Sequence, residues 1–279
     1  MNDIWYQFKK NKIAMFGLIM ISIFILSAIV APILAPYDPY KMSGGESLAG
    51  PSLAHWLGTD QFGRDILSRI IYGTRISLQV GIISVGISLV AGTIIGVVAA
   101  YYGKWVDHVL SRLTDVMFSF PDILLALVIM AILGPSLTNL MIAIGIVYTP
   151  IFARIARGSV LTIKHSLYID AAKSMGISNV KIMWKHILPN SMAPLIVQVT
   201  LSFAFAILAE AALSFLGLGV SPDTPSWGIM LSEGKNWMES AWWIAVFPGI
   251  AITMAVFSFN VMGDGLRDAL DPKLKNESS

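Results

Sequence analysis

Glu210 stands alone in an otherwise uncharged run from Leu195 to Leu218. A carboxyl group in such a stretch either lines a polar path, where it could also carry an ion or a proton, or hydrogen-bonds to a neighbouring helix. Ser214 and Ile207 share its helical face, so Glu210 and Ser214 are the candidate path-lining pair. Asp122 is a second acid of this kind, the one charge between Val116 and Arg154. It sits beside Pro121 near the cytoplasmic end of its span, where capping and hydration are cheap, and is read as structural. Asp60, Arg64, Asp65 and Arg69 alternate in sign and have two readings. They form a short amphipathic helix offered to a docking protein, or a local salt-bridged fold packed on the rest.

No catalytic constellation accompanies these groups. A phosphate-binding loop needs Gly-x4-Gly-Lys-Ser/Thr. The nearest approach, Gly103-Lys104, has Val98 where the first glycine belongs and Trp105 where the hydroxyl belongs. There is no His-Glu-x-x-His and no Gly-x-Ser-x-Gly. His55, His108, His165 and His186 are too far apart for metal-ligand spacing, so no metal site is expected.

The elements that must hold such residues follow from composition. Of 279 residues, 56% are hydrophobic and 13% charged, where a soluble domain carries about 25% charged residues. Mean hydropathy is +0.71. Too few charges remain to cover a soluble globule, which excludes almost any water-soluble enzyme. The lack of cysteine excludes a disulfide framework. A net charge of +2, with no basic run beyond Lys9, Lys10 and Lys12, argues against a nucleic-acid partner. The chain reads as an all-α integral membrane protein.

A helix needs about 20 mostly apolar residues to cross a hydrocarbon core of roughly 30 Å. Six segments qualify. They are Ile13 to Leu34, Ile76 to Gly103, two between Val116 and Arg154 divided by Gly134-Pro135-Ser136, Leu195 to Leu218, and Trp242 to Met262. The first is too long for a secretory signal core and is read as a retained anchor. Runs this long and non-alternating exclude a β-barrel. With the N-terminus inside, only Lys41, Arg64, Arg69, Arg75 and Lys235 fall outside, five of the 19 Lys and Arg. The positive-inside rule thus favours both termini in the cytoplasm. The expected order is a cytoplasmic N-terminus (1–12), a first transmembrane helix (13–35), an external loop with a short amphipathic segment (36–75), five helices within 76–263, and a cytoplasmic tail (264–279). Gly92-Thr93-Ile94-Ile95-Gly96 marks a close helix contact, within the chain or with a partner.

Between spans four and five, residues 157–193 form a hydrophilic cytoplasmic loop. Leu167, Ala171 and Met175 share one helical face, with Gly176 where a C-terminal glycine belongs. Val180, Met183, Trp184 and Ile187 share another, with Ser178 to cap the start and Pro189-Asn190 to end it. Two short helices about a glycine turn are expected, lying on headgroups or docking a soluble partner.

Asp170-Ala171-Ala172, Gly176, Ile182 and His186-Ile187-Leu188-Pro189 resemble, in order and spacing, the EAA loop of binding-protein-dependent ABC importers. Asp170 replaces the usual glutamate and reaches one methylene less far. His55 to Asp65 with Ser68-Arg69, Tyr72 to Leu78, Leu213 to Gly219, Trp227-Gly228 and Gly263 to Pro272 resemble the C-type permease of dipeptide and oligopeptide importers. Nickel and glutathione importers share these stretches.

The resemblance implies the type I importer permease arrangement of six transmembrane helices in a prokaryotic plasma (inner) membrane. It implies a permease subunit of an ATP-driven, binding-protein-dependent importer that moves di- or oligopeptides by alternating access. The same machinery could carry nickel, a metal chelate or glutathione. Implied partners are a second, homologous permease, two ATP-binding subunits, an extracytoplasmic substrate-binding protein and membrane lipid. ATP and Mg would sit on the ATPase subunits, with no cofactor on this chain. Asp170, Ala171, Ala172, Gly176, Ile182, His186, Leu188 and Pro189 would form the coupling loop seated in an ATPase groove. Asp60, Arg64, Asp65 and Arg69 would be candidates for docking the substrate-binding protein. A reading from another class is a stand-alone secondary transporter or channel with Glu210 as its ion site. Against it stand the lack of an inverted repeat and of paired broken helices, and a loop left without a purpose.

Overall fold

Apolar runs of this length must close their backbone hydrogen bonds internally, and the chain does so in helices. The computed structural model describes residues 2–219 and 221–270. Asp271 and Pro272 of the tail motif lie outside the described residues.

α1 (Asn2–Lys10) and α2 (Lys12–Ile29) meet at Asn11, whose side chain accepts from the Ile13 and Ala14 amides at 3.1 Å. α3 (Ala31–Leu34) ends the first apolar run. Residues 35–65 carry only a 3-10 turn, Gly44–Glu46. There follow α4 (Ile66–Tyr102), α5 (Lys104–Phe118), α6 (Asp122–Leu133), α7 (Leu137–Ile163), α8 (Leu167–Ser174), α9 (Asn179–Ile182), α10 (Met192–Phe215), α11 (Trp227–Gly234) and α12 (Trp243–Leu270). Among the described residues there is no strand, and Thr59 and Asp65 form an isolated bridge.

Five helices are long and apolar enough to cross a membrane: α2, α4, α7, α10 with its preceding turn, and α12. The expected third span differs. α5 and α6 meet at a bend of 95°, so they supply a sixth crossing only if the bent pair counts as one. α6 alone has 12 residues, about 18 Å at 1.5 Å per residue. The break lies at Ser119-Phe120-Pro121, where proline disfavours helical geometry at Phe120 and brings no N–H. Pro121 instead becomes the N-cap of α6. The second span differs too. Asp65 caps α4 by accepting from the Ser68 amide at 2.8 Å, so the helix starts at Ile66, before the uncharged run. The amphipathic helix expected over Asp60–Arg69 is therefore a turn running into α4.

α4 and α7 form the centre. A Cβ on Gly92 would stand 2.5 Å from the Thr149 carbonyl, and one on Gly96 would collide with the Ala153 carbonyl and the Arg157 amide. The Ser84 and Ser88 hydroxyls donate to the Met141 and Gly145 carbonyls at 2.9 and 2.8 Å. Close backbones tied by hydroxyls are how apolar helices associate without a hydrophobic drive. The GxxxG motif is thus used inside the subunit. Around this pair, Ile21 of α2, Ala204 and Ile207 of α10 and Phe259 of α12 build one core, and Leu140, Ile144, Phe152 and Leu213 another. α8 and α9 sit at one end of the bundle, and α11 and the 35–65 segment at the other.

Gly96→Leu is expected to destabilise the detergent-purified protein by roughly 1–3 kcal/mol through overpacking, read as earlier thermal unfolding. Gly86→Ala, where an added Cβ meets nothing within 4 Å, should melt no earlier than the parent. Equal melting of both variants would mean that the seam can open.

Candidate coupling site

α8 ends in the hydrogen bonds of a glycine-terminated helix. The Gly176 amide donates to the Lys173 carbonyl at 2.9 Å and the Ile177 amide to the Ala172 carbonyl at 3.2 Å. Gly176 has φ +72°, a conformation that costs an L side chain roughly 1–2 kcal/mol. A Cβ there would meet no atom within 4 Å. Within this chain the turn therefore demands glycine for its backbone, not for lack of space. α9 then runs into a π-turn, Met183–Ile187, closed by the Leu188 amide donating to the Met183 carbonyl at 2.8 Å. The 3-10 turn Pro189–Ser191 leads into α10.

Ile169, Ala172, Ile182 and Ile187 are buried and join the core that contains Phe152 and Leu195. They seat the loop on the bundle. The face expected from Leu167, Ala171 and Met175 points the other way, with Leu167 89% and Met175 72% exposed. The second expected face is divided. Met183 and Ile187 are buried, whereas Val180 and Trp184 are more than half exposed. The two pairs, each spaced by four residues, lie on adjoining strips, and only the strip of Met183 and Ile187 faces the bundle. Of the predicted loop residues, Ala172 and Ile182 lie underneath, His186 and Leu188 are half-buried, and Asp170, Ala171, Gly176 and Pro189 are at the surface. Asp170 pairs with Lys173 of its own helix at 3.2 Å, an exposed contact of small worth.

Polar contacts that sequence reasoning did not find anchor this end. Tyr101 Oη donates to Asn179 Oδ1 at 2.7 Å, and Lys164 Nζ to the Ala100 carbonyl at 2.8 Å. Arg157 of α7 holds Asp107 of α5 in a two-pronged pair at 2.6 and 2.8 Å. Arg154 reaches Asp115 at 3.4 Å and lies over the Phe118 ring. Asp107 and Asp115 recur at helical spacing, as Arg154 and Arg157 do, which was a usable signal.

Glu210 and Ser214 are both buried, 0% and 1% exposed. Ser214 Oγ donates to Glu210 Oε1 at 2.9 Å, while Oε2 has no partner. A Cβ on Gly228 would touch Ala211 and Ser214, so α11 covers this face of α10. The pair expected to line a path is thus sealed between the two helices.

Asp60, Arg64, Asp65 and Arg69 are each no more than 3% exposed. Arg64 Nε donates to Asp60 Oδ2 at 2.5 Å, and its Nη2 to Glu233 Oε2 of α11 at 3.0 Å. Arg69 lies 3.8 Å from both carboxylates. His55 Nδ1 stands 2.8 Å from Asp65 Oδ1 and Nε2 3.1 Å from Glu46 Oε2. These charges build the segment, and a docking protein would meet the surface they support instead of the charges themselves. Burial opposes the charged imidazole, but the hydrogen bonds to Asp65 and Glu46 outweigh it and raise the His55 pKa above the ordinary value.

Residues 92–276 match the family model described as binding-protein-dependent transport system inner membrane component. Residues 1–51 match the N-terminal TM domain of oligopeptide transport permease C. The chain belongs to this family of transport permeases. The permease is 53% identical, over 97% of its length and 89% of the relative's, to the dipeptide transport system permease protein of Alkalihalophilus pseudofirmus. It is 45% identical to the di/tripeptide transport permease of Pseudomonas aeruginosa, over 99% of this chain and 93% of that one. It is 44% identical to the glutathione transport permease of Pectobacterium atrosepticum, over 98% and 91%. A chain of the MetNI methionine ABC transporter, solved in an inward-facing conformation, superposes with a TM-score of 0.61 at 18% identity. The overlap covers 74% of this chain and 98% of that one, a likeness of fold. The permease is therefore a multi-pass inner-membrane component, a transport subunit and not an enzyme.

Because the His55 pKa is raised in the folded protein, its contribution is complete below the ordinary value near 6.5 and is lost as pH climbs through the raised one. Protection from hydrogen exchange in residues 46–65, taken relative to the intrinsic amide rate at each pH, should fall across that window. His55→Asn should be poorly protected already at low pH and show no such fall; a parent protein whose protection is flat with pH would remove His55 as the clamp.

Proposed function

We propose that the chain is the membrane-spanning subunit of an ATP-driven importer that receives di- or oligopeptides from a substrate-binding protein outside the cell. The α5–α6 pair counts as one broken span in this reading. That gives six crossings, both termini in the cytoplasm, and α8 and α9 on the cytoplasmic side. Residues 1–12 and 264–279 are cytoplasmic, 13–35 the first span, 36–75 largely external, and 76–263 the permease domain with its coupling loop at 157–193. A second, homologous permease completes the cargo path, and lipid surrounds the pair. Two ATPase subunits carrying ATP and Mg lie beneath.

The observation that carries this proposal is the outward apolar face of the loop. Leu167, Met175, Val180 and Trp184 are exposed on short helices whose opposite faces are fixed in the core, as expected of a rigid plug that fits a groove in a soluble subunit. The peptide cargo is supported by relatives named for dipeptides and di/tripeptides, and a relative named for glutathione keeps that cargo as the second reading.

Coupling is tested at Gly176 in proteoliposomes holding the complete importer. Gly176→Asn, which tolerates the left-handed conformation, should keep uptake near the parent's. Gly176→Trp adds bulk to the docking face and should hydrolyse ATP with little uptake. Normal uptake by Gly176→Trp overturns the coupling role, and uptake driven by membrane potential without ATP overturns the importer.

A further inference from the structure

We infer that the groove between α2 and α4 is a site for one membrane phospholipid, with an acyl chain along its apolar walls and the phosphate on Arg75. The inference stands on the chain's being a membrane protein and is independent of its cargo.

The groove exists because α2 is fixed to two neighbours in different ways. Against α12 it is seated closely, since a Cβ on Gly17 would stand 2.6 Å from the Ser258 carbonyl. To α4 it is tied at its end by Arg75, whose Nε donates to the Ala28 carbonyl and Nη2 to the Ile29 carbonyl. Both carbonyls belong to the last turn of α2, which a helix leaves free. Beside this tie lies a groove of about 780 Å³, within the range of ligand sites, roughly 300–1,000 Å³. Ile21 and Ile25 of α2 face it, with Leu78 and Ile82 of α4. Phe203 and Phe259 complete the lining, stacked at 4.9 Å. Phe203 rests on α4 at Gly81, where a Cβ would stand 2.6 Å from the ring. A lining fixed in this way does not collapse into the space.

The polarity of the groove is confined to one end. Its polar lining residues are Arg75 and Gln79, both exposed and one helical turn apart. From Arg75 to Ile83 the lining runs eight residues along α4, and from Ile29 to Ile21 eight along α2, about 12 Å in each case. A cation at one end of a long apolar slot matches an amphiphile with an anionic head. A helix with its side chains is about 10–12 Å across, so a 12 Å length displaces roughly 1,000 Å³ and would not seat without moving α2. A flexible acyl chain needs no such movement.

Arg75 also has donors to spare. A guanidinium carries five N–H groups, and α2 takes two of them. Among the described residues no carboxylate pairs with Arg75, whereas Arg64, Arg154 and Arg157 each have one. Its planar fork suits a phosphate, and the Gln79 amide is placed to donate to the ester oxygens behind it.

The test is made on the complete importer in vesicles of phosphatidylethanolamine and phosphatidylglycerol, part of the latter carrying a diazirine on one acyl chain. After extraction and washing in mild detergent, which strips loosely held lipid, illumination should place adducts on residues 21–29 and 78–83. Ile25→Trp, which fills the groove and leaves the Arg75 tie in place, should lose most of these adducts while assembling with every subunit. Arg75→Gln should lower them roughly fivefold, the worth of one exposed ion pair, and Arg75→Lys should restore them in part. Absence of groove adducts from the parent, or an unchanged yield in either Ile25→Trp or Arg75→Gln, overturns the inference. The chain has no cysteine, so Ile82→Cys places a single thiol in this subunit. Its cross-linking to the second permease by a short bifunctional reagent would overturn the inference too, making the groove a protein interface.

Discussion

The approach of α4 to α7 decides what the rest of the molecule can do. Where Gly92 and Gly96 lie on the α7 backbone there is no room for a single carbon between the helices, and dispersion at such contact weakens steeply with any gap. Helices joined this way move together. Both continue past the seam, and the functional parts hang on their extensions. At one end Asn179 is held by Tyr101, and Lys164 by the Ala100 carbonyl. At the other, Asp65 and Ser68 hold His55 and the Tyr37 amide. A push on α8 is thus passed to a rigid pair instead of being absorbed by a loose joint.

Much of this was legible in the sequence. Charge-poor runs marked most spans, and the glycine after Met175 marked the end of α8, because helix length and C-capping are local properties. Proline shows where local reasoning stops. Pro150 and Pro248 lie inside α7 and α12, which stay continuous, while Pro121 accompanies a bend of 95°. The difference is set by packing. α7 is fixed along α4 on both sides of Pro150, whereas α5 is held to α7 by its Arg–Asp pairs and α6 by apolar contacts of Ala126 and Met130. No window of sequence contains that information.

The charges were the least legible feature. Asp60, Arg64, Asp65 and Arg69 announce themselves as a surface because charged groups rarely leave water. Their burial depends on Glu233, 169 residues beyond Arg64. Once buried, such a cluster is sensitive to the loss of any member, since the partner left behind is an unpaired charge out of water. It therefore fixes the geometry of the 35–65 segment more than it adds stability, and it ties that segment to α11 as well as to α4. The single expected stripe across Val180 to Ile187 divided for a related reason, because which of two adjoining apolar strips is covered depends on residues distant in sequence such as Phe152 and Leu195.

The two acids met first in the sequence divide along the same line. Glu210 sits in a continuous helix, bonded to Ser214 one turn along that same helix and covered by α11. Asp122 sits where continuity fails, and a helix that breaks in a lipid-sized bundle must present its unpaired amides to something polar. Composition treats the two residues alike. Only the backbone around each separates a carboxyl group that α11 covers from one that stays exposed at the start of α6.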